Sequence, residues 1–115
     1  MRKIEALMVQ AVKDGRDWHL DNTSVDVTDD GIVVRLHGHA IAQLNTEAGI
    51  LWITDAGWQT ATTKSRLNAL LRGITPGHAC VYQKGYIWYL TRGLDVNEEA
   101  YTVEMERNEG YAVAL

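Results

Sequence analysis

Apolar and polar positions alternate with two distinct periods along the chain. At Ile4, Leu7, Met8, Ala11 and Val12 the apolar residues fall three and four apart. That stripe predicts a helix over residues 2–14, with Gly15 placed to end it. From residue 24 to 54 the period drops to two. Val25 and Val27, then Ile32, Val34 and Leu36, then Ala40–Leu44, then Ile50–Ile53 read as four antiparallel strands. Asp30-Gly31 and the segment Asn45–Gly49 carry the turn signals, and Gly38 marks a bulge or turn. The link at residues 17–22 is polar, with Trp18 as its one buried candidate.

A helical period returns at residues 60–73, where Leu67, Leu70, Leu71 and Ile74 make the apolar face. Thr62 or Thr63 is positioned to cap it, Gly73 to stop it in the left-handed conformation, and Pro76 follows. Residues 79–91 read as a hairpin turning at Lys84-Gly85. Residues 101–105 and 111–115 suggest a second, loosely packed terminal hairpin within 95–115, turning at Asn108–Gly110. The order is α-β-β-β-β-α-β-β. It predicts an α+β fold, an antiparallel sheet (meander plus hairpin) packed with two helices, in one domain over residues 1–115.

Composition excludes several classes. With 46% apolar and 23% charged residues the chain is ordinary for a globular protein and too hydrophobic for a disordered one. Phe is absent, so Trp and Tyr supply the aromatic bulk. The single cysteine, Cys80, rules out an internal disulfide and a four-thiolate zinc site; its apolar neighbours predict a buried small side chain. No apolar run reaches the ~18 residues of a membrane span. The basic start at Arg2 and Lys3 gives way to Glu5, Gln10, Lys13 and Asp14, which break any signal-peptide core. These features predict a cytoplasmic protein with no membrane partner.

Catalytic constellations are missing. Ser24 and Ser65 sit in no nucleophile elbow, no glycine-rich phosphate loop is present, and Asp55 reads as a turn carboxylate. His37 and His39, two apart on a strand, would project from one face, but nothing in the sequence supplies a third metal ligand. The expectation is therefore a non-enzymatic protein with no cofactor and no metal.

Charge is segregated. Residues 56–94 hold Lys64, Arg66, Arg72, Lys84 and Arg92 and no acid, whereas the flanking segments are net acidic and the whole chain is at −4. The basic segment also holds Tyr82, Tyr86, Trp88 and Tyr89. Aromatic rings interleaved with cations are the ingredients of a nucleic-acid or partner surface, with Thr62, Thr63, Lys64, Arg66, Tyr86 and Trp88 as its candidate residues. Asp26, Asp29 and Asp30, with Glu98, Glu99, Glu104, Glu106 and Glu109, form acidic counterparts that suit a basic protein partner.

The string Gly57-Trp58-Gln59-Thr60-Ala61-Thr62-Thr63-Lys64-Ser65-Arg66-Leu67-Asn68-Ala69 follows the segment Leu36–Ala42 and precedes the aromatic hairpin. Over residues 2–92 the chain resembles a family of small tailed-phage proteins. The resemblance implies an accessory gene product acting inside an infected bacterium, and it brings no catalytic residue or cofactor with it. The tail beyond Arg92 lies outside it. Together these features predict an accessory protein that binds, and inhibits, a host macromolecule such as a defence or regulatory protein complex. The alternative is a nucleic-acid-binding module built on residues 56–94.

Overall fold

The computed structural model describes residues 2–76, 79–92 and 101–115. Two helices and nine strands occur in the order α1 (Lys3–Asp14), β1 (Trp18–Leu20), β2 (Thr23–Thr28), β3 (Gly31–Leu36), β4 (His39–Asn45), β5 (Ile50–Ile53), α2 (Ala61–Ile74), β6 (Ala79–Lys84), β7 (Ile87–Arg92), β8 (Tyr101–Glu104) and β9 (Tyr111–Ala114). The fold is α+β, as the periodicity predicts. Two antiparallel sheets share the strands. One runs β1-β2-β3-β4-β5-β9 and the other β6-β7-β8.

Helix α1 packs on β1 and β2; α2 packs on α1, β4 and β6. The alternating strand pattern aims Val25, Val34, Leu36, Leu44, Leu51 and Ile53 at the helices. Leu67, Leu70, Val81, Trp88 and Leu90 complete one continuous core. Trp18 belongs to a short edge strand and packs half-buried against this core, where the sequence suggested an irregular link.

One helix ends where its glycine suggests and the other does not. Gly15 does stop α1, at φ 63°. Gly73 stays inside α2, and a Cβ there would press into the Val9 Cγ1 methyl, so this glycine sets the approach of the two helices. Thr75 takes over as C-cap; its N–H and Oγ1 both donate to Leu71 O. At the other end Thr60, rather than Thr62 or Thr63, caps α2, its Oγ1 accepting from Thr63 N–H.

The tail is not a hairpin. β8 extends the small sheet by pairing with β7, while β9 crosses to pair with β5. Met105 and Val113 are buried and Tyr111 packs against the core, so the two halves tie the sheets together instead of fraying. Edge pairing explains this: each half satisfies the backbone groups of an open sheet edge, where an isolated two-stranded hairpin is only marginally stable. Glu98 and Glu99, like His78, lie outside the described residues.

Candidate functional site

The six residues of the expected basic and aromatic surface do not share one. Trp88 is 2% exposed, its ring turned inward between β6 and β8. Thr63 is buried, with its hydroxyl 3.0 Å from Thr60 Oγ1. Arg66 is 4% exposed and faces the core of polar contacts between the helices. Lys64 is half-buried, with Nζ 5.9 Å from the centre of the Trp88 ring. Thr62 lines a cleft described below, and only Tyr86 stands free, at 93% exposure. The strand period is the reason for Trp88. One face of β7 had to enter the core, and Trp88 with Leu90 bury more apolar area than Ile87 with Tyr89.

Arg66 has left the basic surface because an acid from outside the acid-free segment meets it. Its Nη1 donates to Glu5 Oε2 at 2.8 Å, its Nε donates to Thr23 Oγ1 at 3.1 Å, and Ser65 Oγ donates to the same Glu5 oxygen at 2.6 Å. Burial alone pushes the Glu5 carboxyl up. The bonds from Ser65 and Arg66, the Arg66 charge and the Arg2 backbone N–H outweigh it, and the group ends below its ordinary 4.5. Ser65 is thereby committed to structure.

What remains exposed on β6 and β7 is a different aromatic set. Tyr82 and Tyr89 are paired across the strands and stacked, with ring centres 5.4 Å apart at 24°. Lys84 and Ile87 are the next pair, both exposed. The two-residue turn beyond them is Gly85-Tyr86, with φ 58° and 68°. Positive φ at both central positions suits the twist of a hairpin, but the second is ordinarily held by glycine or asparagine. A tyrosine there is strained and fully presented. Cys80, on the same outward face, is exposed rather than buried, since the alternation puts Ala79 and Val81 inside.

A cleft of about 400 Å³ lies at the start of α2. Leu36, Ile41 and Ala56 supply apolar lining, and His37, His39, Trp58, Thr60 and Thr62 surround it. Trp58 is 58% exposed, its ring centre 6.1 Å from that of His39. His37 and His39 do not form a strand pair. His37-Gly38 is a two-residue turn, φ 51° and 81°, and only His39 belongs to β4. Among the described residues no three metal-ligating side chains gather.

Asp55 fixes the floor of the cleft. It is buried; Oδ1 accepts from the N–H groups of Gly57 and Asn108, both at 2.7 Å, and Oδ2 accepts from Gln59 Nε2 at 3.0 Å. Gln59 Nε2 also donates to Met105 O at 3.2 Å, so the loop carrying Trp58 is bolted to the C-terminal turn. With its oxygens accepting from three donors, Asp55 holds the loop. Sequence reasoning placed it in a turn but missed Trp58; the signal available was the lone aromatic beside Gly57 and before the helix cap.

Comparison with protein families gives a match to the Kyanoviridae Gp96 protein family over residues 1–113. The chain belongs to this family. It is thus a phage protein, and the match takes in β8 and β9, which the resemblance over residues 2–92 left out. The family's span agrees with the packing, because Met105 and Val113 are part of the core. No curated protein and no solved structure matches the chain. Among the described residues no helix is long and apolar enough to cross a membrane.

Proposed function

We propose that this phage protein is a non-enzymatic accessory factor that binds a host protein complex, in the cytoplasm of the infected bacterium, and inhibits it through the β6–β7 hairpin. The observation that carries this reading is Tyr86, 93% exposed at a positive φ of 68°. Strain at an exposed tip is retained where the side chain has work to do. A tyrosine also supplies large, rigid contact area at low entropic cost. Tyr82, Lys84 and Ile87 border it, and neither β6 nor β7 carries a carboxylate, which suits an apolar partner pocket with an acidic rim. A non-enzymatic reading fits the structural engagement of Ser65 with Glu5, of Thr60 with Thr63, and of Asp55 with Gln59 and two backbone N–H groups.

Site-specific photo-crosslinking tests the reading. A crosslinker at position 86, in host cells, is expected to capture one predominant host protein; the same group at Asp30, in the exposed β2–β3 turn of the other sheet, is not. Equal, diffuse capture at both positions would remove the hairpin as the contact.

A second reading, single-strand nucleic-acid binding, is favoured by the Tyr82–Tyr89 stack beside Lys84. It requires affinity that falls with salt, because phosphate contacts release counterions. Binding of labelled oligonucleotides at two salt concentrations separates it from the first.

A further inference from the structure

We propose that the cleft at the start of α2 is a binding site for a free nucleotide, with the base held between His39 and Trp58. The site is separate from the hairpin and does not depend on the hairpin's role.

The cavity is the first reason. At about 400 Å³ it falls in the range of small-molecule sites and has room for one ring system and its phosphate. Its lining is apolar at Leu36, Ile41 and Ala56, as the face of a heteroaromatic ring requires.

The ring pair is the second. His39 and Trp58 already lie at 6.1 Å between centres, tilted by 38°. A flat ring between two others needs two contacts of about 3.5 Å, or about 7 Å in all. The gap is therefore short by about an ångström, and both side chains are exposed and able to turn. The Trp58 backbone is anchored: its own N–H donates to Asp55 O, the Gly57 N–H before it donates to Asp55 Oδ1, and the Gln59 side chain after it donates to Asp55 Oδ2 and Met105 O.

Charge is the third. Asp55 is the one carboxylate among the residues around the cleft, and its oxygens accept three hydrogen bonds. His37, His39 and the hydroxyl-bearing Thr62 remain around the opening, while the Thr60 hydroxyl is held in the helix cap. An anionic group enters without meeting a free negative charge. The cavity and ring pair define the site, and the positive end of α2 only adds to its sign.

The test uses the full chain. AMP is titrated while the backbone amides of residues 37–41 and 56–63 are followed by NMR, with adenosine, inorganic phosphate and a 5′-phosphorylated trinucleotide as parallel arms. AMP is expected to shift these amides with a Kd below about 1 mM. Adenosine and phosphate alone are each expected to bind about tenfold more weakly. Trp58→Ala is expected to abolish binding and Trp58→Phe to keep it, both with unchanged Tm, because the ring is exposed. Tyr86→Asn should leave AMP binding intact, which separates this site from the hairpin. Absence of shifts with up to about 5 mM AMP, or equal binding by Trp58→Ala, overturns the proposal. A trinucleotide binding tenfold tighter than AMP overturns the free nucleotide in favour of a strand end.

Discussion

Glu5 in α1 and Arg66 in α2 form a buried ion pair, Oε2 to Nη1 at 2.8 Å, with Ser65 and Thr23 completing their hydrogen bonds. Removing one partner leaves the other charge buried and unpaired, which costs about 3–5 kcal/mol, whereas replacing both with apolar groups of similar volume is far less damaging. Arg66→Met is expected to lower the urea midpoint strongly. The double change Glu5→Leu with Arg66→Met should recover most of the loss. A double variant no better than the single one would show that the pair's own attraction dominates.

The same pair predicts a pH dependence. Glu5 has a folded pKa below its ordinary 4.5, so between the two values the unfolded chain binds more protons than the folded one. Its contribution to stability is fully present above pH 4.5 and is lost as pH falls through the lower, folded value. Stability curves of the wild type and Glu5→Gln against pH should lie apart at neutral pH and converge in acid. Parallel curves down to low pH would contradict the assignment.

Gly73 faces Val9 across the helix pair with no space for a Cβ. Alanine improves helix propensity by about 1 kcal/mol over glycine. Overpacking against Val9 costs about 1–3 kcal/mol and should win. Gly73→Ala is therefore expected to destabilise the wild type. It should turn neutral or stabilising in a Val9→Ala background, where the opposing methyls are gone. A denaturant-based cycle of the four proteins decides it.

Asp55→Ala strips the acceptor from two backbone N–H groups and the Gln59 amide. The expected loss is about 2–4 kcal/mol. It should be local in its first effect. Amide exchange at Gly57 and Asn108 should accelerate before that of Leu67 or Leu70 in the core, and Trp58 should lose its fixed position.

Tyr86 holds a conformation that asparagine adopts more readily. Tyr86→Asn is expected to raise stability by about 0.5 kcal/mol while weakening capture of the host partner at least severalfold. A variant that is more stable and equally active would leave the tyrosine without a role.

Local order was legible in the chain because it depends on neighbours. The 3.6-residue stripe of Ile4, Leu7, Met8, Ala11 and Val12 gave α1, and the alternation from Val25 to Leu36 gave β2 and β3. Both survive because tertiary packing buries most of the marked positions, although in α1 Glu5 and Val9 are buried more fully than Ile4 and Leu7, and Val27 of β2 is exposed. Gly15 was legible for the same reason, since a helix stop is set within a few residues.

What depended on residues far apart was not. The acid-free segment looked like a basic surface until Glu5, 61 positions away in sequence from Arg66, neutralised one of its five cations. Gly73 read as a helix stop because Val9 is invisible to local reasoning. β8 and β9 read as a hairpin because each alternates, yet their backbone groups found partners in two different sheets. Which face of β7 is buried, and hence that Trp88 is lost to a binding surface while Tyr82 and Tyr89 are kept, was a choice between two alternating faces. Periodicity alone is symmetric to that choice. Packing against α2 breaks the symmetry, and only the tertiary structure contains it.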